Sequence, residues 1–137
     1  LQVNEEQPLR LVELADKKLR GLLGKKVAIL GLAFKPGTDD IRKAPAIKVI
    51  EELWRRGAAI KVYDPVAEGK AKAILGNIVS YAHTAVEAVS EAESVFILTE
   101  WEEFNNICLY KGKTVFDGRK VLQPDEVEGI DYEGICW

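Results

Sequence analysis

The sequence predicts an α/β domain of three layers, an αβα sandwich built on a mainly parallel sheet. Three observations carry that expectation. Short segments with apolar interiors at residues 27–30, 60–62 and 95–98 have the length and the Val/Ile content of buried strands. Between them lie amphipathic stretches long enough to cross from one strand to the next. Two of the runs stop at turn-forming residues, Gly31 and Asp64-Pro65. Strand, helix and second strand in this order imply a right-handed parallel unit, and its repetition gives a doubly wound, Rossmann-like sheet.

Composition narrows the function classes. The chain has 137 residues, room for one ordinary domain, with 47% hydrophobic and 30% charged residues. A chain of this size buries roughly two thirds of its extended surface, enough for a core without staples. A net charge of -3 argues against a nucleic-acid partner, although local positive charge can still gather at a phosphate site. Cys108 and Cys136 lack CxxC spacing and are joined by one histidine, which argues against a metal centre or a disulfide scaffold and fits a reducing, cytoplasmic setting. No apolar run approaches the roughly 20 residues needed to cross a bilayer. The amino terminus has no signal-like pattern and does not start with Met, as expected of a piece or a processed chain.

Along the chain, Leu11, Ala15, Leu19 and Leu22 recur at helical spacing, and Val12 and Leu23 widen the stripe, so residues 9–23 read as an amphipathic helix ended by Gly24. Pro8 suits its start. Residues 1–24 are expected to connect to something upstream or to form a subunit contact, with plain local packing as the alternative; residues 25–137 form the domain. The first strand is 26–30. Pro45 can open the next helix, whose buried face would be Ala46, Val49, Ile50, Leu53 and Trp54, with Gly57 closing it. Strand 59–63 follows, then a weakly patterned helix at 66–75, a short strand at 78–80, a short helix at 86–89 and a central strand at 94–98. Residues 101–109 make a short helix or folded loop, and 114–116 another strand. The tail from Gln123 onward has no clear pattern.

The loop after the first strand carries the chemistry. It offers Phe34, Lys35, a Pro36-Gly37 turn, Thr38, Asp39, Asp40 and Arg42 at the carboxyl end of a buried strand, where open α/β sheets bind ligands. Lys35 is a flexible ammonium suited to a diphosphate, and Arg119, after the 114–116 strand, presents a planar fork. Phe34 either packs a ligand or plugs the first strand. Asp39 and Asp40 either cap and pair locally or transfer protons. Gly31 is followed by Leu32 and Ala33, so neither GxGxxG nor GxxxxGK[ST] is present. Asp64 is either a ribose ligand or a turn residue, and Trp101 either covers a core edge or lies near a ligand. Cys108, between Ile107 and Leu109, reads as a buried packing residue, and His83 as a surface residue without a base-orienting neighbour.

GLAFKPGTDDIR at 31–42, AP at 44–45, YDP at 63–65, TEW at 99–101 with Phe104, and DGR at 117–119 together resemble the carboxyl-terminal domain of the UDP-glucose/GDP-mannose dehydrogenase family. TEW and DGR favour its UDP-glucose branch. The resemblance spans about residues 3–134. It implies that the domain holds the UDP of a nucleotide sugar through Lys35 and Arg119; Phe34 joins them as a candidate substrate contact from its place in the same loop. Arg42 would reach toward NAD, and Thr38, Asp39 and Asp40 would organise the loop. Family members oxidise the sugar C6 alcohol twice with NAD+, through a thioester on a cysteine. The glycine-rich NAD turn and the cysteine motif are absent here, so no catalytic residue is assigned and the chain alone is expected to be inactive. Asn4 resembles the asparagine that closes the family's central region. The resemblance further implies upstream NAD-binding and central domains and a homo-oligomeric whole. The alternatives are a freestanding nucleotide-binding or regulatory module, and a related dehydrogenase acting on UDP-N-acetylmannosamine.

Overall fold

The computed structural model describes residues 6–33, 44–123 and 129–134. Its strands are β1 (Lys26–Leu30), β2 (Ala59–Tyr63), β3 (Ser80–Tyr81), β4 (Ser94–Ile97), β5 (Thr114–Asp117) and β6 (Asp131–Gly134). They form one sheet in the order β3-β2-β1-β4-β5-β6. Every neighbouring pair is parallel, with Ile29 opposite Val62 on one side and Phe96 on the other. The order reverses at β1, which places a crevice between the carboxyl ends of β1 and β4.

Helices cover both faces because β1 and β4 are apolar on both. On one face pack α1 (Glu6–Leu19), α2 (Pro45–Arg55) and α3 (Glu68–Leu75). Leu11, Val12, Ala15, Val49, Ile50 and Leu53 are buried there with Val27, Ile29, Phe96 and Phe116. The Phe96 and Phe116 rings stack at 4.9 Å. The other face is covered by α4 (Ala85–Ser90) and by two 3-10 turns, Glu102–Phe104 and Ile107–Tyr110. It buries Ala28, Leu30, Val95, Ile97, Phe104 and Tyr110. Each fully buried Leu, Ile or Phe contributes about 1.5–3 kcal/mol, so these two layers supply most of the fold's stabilisation. Thr84 caps α4, its hydroxyl accepting from Glu87 N–H at 3.0 Å.

Several boundaries depart from the sequence expectations. α1 ends at Leu19, a turn before Gly24, because Arg20 and Gly21 both take positive φ and Gly21 N–H returns to Asp16 O at 2.9 Å. Leu22 then turns into the core, while Leu23 is 83% exposed. Leu23 lies against Gly57, whose missing side chain leaves it room. Trp54 is 53% exposed, since positions 46, 49, 50 and 53 already fill the stripe over the sheet. Residues 76–78 form a 3-10 turn, and the strand follows at Ser80–Tyr81. Cys108 is exposed: in the tight turn it occupies, Tyr110 takes the inward position. The tail supplies β6, paired with β5 from Thr114 opposite Asp131 to Asp117 opposite Gly134.

α1 is fixed at two places besides its buried stripe. Arg56 Nη1 meets Asp16 Oδ2 at 2.7 Å while its Nε meets Glu52 Oε2 at 2.8 Å, tying α1 to α2. At the sheet edge Lys18 Nζ bridges Asp131 Oδ1 at 2.7 Å and Glu133 Oε1 at 3.0 Å on β6.

All four tyrosines are held in their neutral form, which gives the fold an alkaline limit. Burial first, then a hydrogen bond with Glu103, pushes the Tyr63 phenol up from 10.0 to about 12. Burial likewise raises Tyr81, Tyr110 and Tyr132, the last also through its bond to Asp117. The unfolded chain releases these protons first, so the stability they represent is present in full below pH 10 and falls as pH climbs toward about 12. Urea unfolding between pH 9 and 11 is expected to show a falling midpoint above pH 10, with tyrosinate absorbance rising together with loss of structure.

Candidate functional site at the carboxyl edge of the sheet

The loops after β1, β4 and β5 leave the sheet side by side, because those strands are neighbours in it. Leu98 N–H continues the β1 ladder to Leu30 O, and Gly118 N–H continues the β4 ladder to Ile97 O, both at 2.9 Å. Gly31 begins the first loop at φ 96°, and a Cβ there would stand 2.5 Å from Thr99 Cβ and 2.7 Å from Thr99 N. The missing side chain lets the loops after β1 and β4 touch. The buried Thr99 hydroxyl seals the contact by donating to Ala33 O.

Asp64, only 5% exposed at the end of β2, fixes the same loop from the other side. Its Oδ2 accepts from Leu32 N–H at 2.8 Å and from Ala33 N–H at 3.4 Å. Its Oδ1 accepts from Val66 and Ala67 N–H, each at 2.9 Å. A carboxylate receiving four amides is a staple for two chain segments, which decides between turn and ribose ligand in favour of the turn. Dinucleotide binding in its usual form has no place here. The space at Gly31 is filled by Thr99, and both oxygens of the acidic residue after β2 are engaged by backbone, so the described residues do not fit the pyrophosphate and ribose of NAD.

The third loop is organised by Asp117, which is fully buried at the end of β5. Its Oδ1 accepts from Arg119 N–H at 3.1 Å and its Oδ2 from Leu122 N–H at 2.9 Å, so one carboxylate grips both ends of the turn. Arg119 keeps 14% of its side chain exposed and reaches back to Glu100 Oε1 at 3.2 Å, joining the loops after β4 and β5. Trp101 packs partly buried against the layer of Phe104 and Tyr110. Tyr63 sets its ring edge-on to Phe104 at 6.1 Å.

Of the residues singled out from the sequence, Arg119 therefore stands at the carboxyl edge, among loops that Thr99, Asp64 and Glu100 hold together. Phe34, Lys35, Thr38, Asp39, Asp40 and Arg42 lie outside the described residues, as do Asn4 and Cys136. His83 is exposed, its N–H bonded to Glu87 Oε2 at 3.2 Å. No group of His, Cys, Asp and Glu that could hold a metal occurs among the described residues, and no helix among them is long and apolar enough to cross a membrane. Sequence reasoning gave no role to Thr99 or Asp117. A lone acid or hydroxyl at the end of an apolar strand, or just past it, is the signal that would have found them. A cleft of about 280 Å³ opens at the opposite edge, lined by Lys26, Lys61, Asn77, Ser80 and Glu91, far from these loops.

Residues 28–124 match the family described as UDP-glucose/GDP-mannose dehydrogenase family, UDP binding domain. The UDP-glucose 6-dehydrogenase YwqF of Bacillus subtilis is 38% identical over 98% of this chain and 32% of its own length. Among solved structures, a UDP-glucose dehydrogenase from Pyrobaculum islandicum superposes with a TM-score of 0.88 at 40% identity, over 98% of this chain and 30% of that one. A UDP-D-ManNAc dehydrogenase from Pyrococcus horikoshii gives 0.76 at 27% identity, over 96% of this chain and 31% of that one. The chain thus spans about a third of the length of the relatives it matches. With the sheet order, the three-loop crevice and the matched segment in agreement, the chain belongs to the UDP-glucose/GDP-mannose dehydrogenase family, of which it carries the UDP binding domain.

Proposed function

We propose that this chain is the UDP-holding part of an NAD-dependent UDP-glucose 6-dehydrogenase, working in the cytoplasm. In this reading residues 1–24 connect to upstream NAD-binding and central domains, and the whole is a homo-oligomer. Lys35 neutralises the diphosphate, Arg119 meets phosphate and nucleoside, and Phe34 borders the ligand. Thr38, Asp39 and Asp40 shape the loop, and Arg42 reaches the NAD side. The cofactor, when bound, supplies the hydride acceptor; this chain's residues bind and orient the substrate. The observation that carries the reading is the anchoring of Arg119 by Glu100 and Asp117 on the loop after β5, beside the reversal point of the sheet. UDP-glucose is preferred over UDP-N-acetylmannosamine as substrate because identity to the former's dehydrogenase is 40% against 27% for the latter's.

Calorimetric titration with UDP tests the site. Lys35→Ala and Arg119→Ala are each expected to weaken binding by about 1–3 kcal/mol, as for charge-assisted contacts that are partly buried. Added salt should weaken the parent as well, and His83→Ala should leave it unchanged. Unaltered UDP binding after both Lys35 and Arg119 are replaced would rule the site out.

A further inference from the structure

We propose that Tyr132 is a positioning residue for the Arg119 loop, so that the last strand, β6, sets nucleotide affinity without touching the nucleotide. The proposal rests on the reading that Arg119 contacts UDP. The Tyr132 hydroxyl donates to Asp117 Oδ2 at 2.8 Å, from fifteen residues further along the chain. Asp117 has no exposed surface, and its two oxygens accept from the amides at both ends of the turn, Arg119 and Leu122. The orientation of this one carboxylate therefore fixes where the turn sits, and among the described residues Tyr132 is the group outside the turn that holds it. The second acceptor near the phenol, Leu122 O at 3.3 Å, belongs to the same turn.

Two further features fit this role. Lys120, inside the turn, has φ 54°, a conformation that costs a non-glycine residue energy and has to be held by its surroundings. Gly134 lies beneath the Tyr132 ring, where a Cβ would come within 2.8 Å of the phenol oxygen, so glycine there clears the path from Tyr132 to Asp117. Burial and the bond to Asp117 raise the Tyr132 phenol above its ordinary value, so it remains a proton donor throughout the neutral range. The backbone of β6 is registered on β5 along its whole length and its acidic side chains are bridged by Lys18 of α1, which leaves Tyr132 little freedom to drift. Tyr132 lies beyond residue 124, where the matched family segment ends.

The test is a double-mutant cycle read by UDP titration of the full-length protein. Tyr132→Phe removes the hydroxyl and keeps the ring. It is expected to weaken UDP about five-fold in the parent and less than about two-fold when Arg119 is already alanine. A general loosening of the fold would weaken both backgrounds by the same factor, and that result overturns the proposal. So does unchanged affinity in Tyr132→Phe beside a clear loss in Arg119→Ala, which leaves the nucleotide site standing. Should Arg119→Ala itself bind UDP like the parent, the site reading fails and the proposal falls with it. Gly134→Ala keeps the phenol but displaces it, and is expected to act in the same direction. Amide exchange without ligand gives a check independent of UDP: in either variant the Arg119 and Leu122 amides should exchange faster while those of β4 do not. Unchanged exchange at both amides overturns the proposal.

Discussion

Asp64→Ala is expected to destabilise the domain by about 3–5 kcal/mol, enough to lower its melting temperature by about 10–15 °C. The loss comes from orphaned donors. Four amides, those of Leu32, Ala33, Val66 and Ala67, converge on the two oxygens of Asp64 in a site that is nearly closed to solvent. Removing the carboxylate leaves them with whatever water can enter. Asp64→Asn should lose about half as much, because its single carbonyl oxygen can serve only one of the two amide pairs while its own N–H groups face donors. Thermal unfolding followed by circular dichroism checks both values, and equal stability in all three proteins would remove Asp64 as the staple. UDP affinity should fall alongside stability in Asp64→Asn, since the segment set loose leads directly into Lys35.

Gly31→Val is expected to be at least as damaging. The residue would have to take φ 96°, a conformation that costs an ordinary side chain about 1–3 kcal/mol and a branched one more. Its Cβ would also sit 2.5 Å from Thr99 side-chain atoms and 2.7 Å from the Thr99 amide nitrogen. A rotamer change can relieve the first of these contacts. It cannot relieve the second, because that atom is in the backbone of the neighbouring loop. Gly31→Ala should therefore lose about 3–5 kcal/mol, and adding Thr99→Ala should recover only part of it. Denaturant unfolding of the single and double variants measures the recovery; full restoration would mean that the loops after β1 and β4 part without penalty.

The central half of this fold was legible in the sequence because β1 and β4 are buried on both faces and β2 on one. Residues 27–30 and 95–97 are unbroken apolar runs inside β1 and β4, and Ile60 and Val62 are the buried positions of β2 on either side of the partly buried Lys61. β6 was not legible. Asp131–Gly134 has no apolar run, sits at an edge, and owes its place to backbone pairing with β5 and to Tyr132, neither of which leaves a periodic trace. Trp54 and Leu23 misled because hydrophobicity predicts a preference for burial, whereas α2 and the turn after α1 had already filled the available surface. Cys108 misled for a related reason, its apolar neighbours saying nothing about which residue the 3-10 turn Ile107–Tyr110 directs inward. At the candidate site, the charged Arg119 stood out as a ligand-facing type at a strand end. Asp64 and Asp117 were harder to interpret, since an acid at a strand end looks the same from sequence whether it serves a ligand or its own backbone.

The strand order has a consequence for how the chain folds during synthesis. β1, β2 and β3 are made first and can assemble outward in one direction, with α2 and α3 crossing between them. The other edge of β1 must then stay open until β4, far downstream, has been made. That open edge belongs to a strand buried from Val27 to Leu30, and pairings this distant in sequence form slowly. The nascent half-domain is thus the species most exposed to mispairing, and the last strand to arrive, β6, is the one that completes the shell around Asp117.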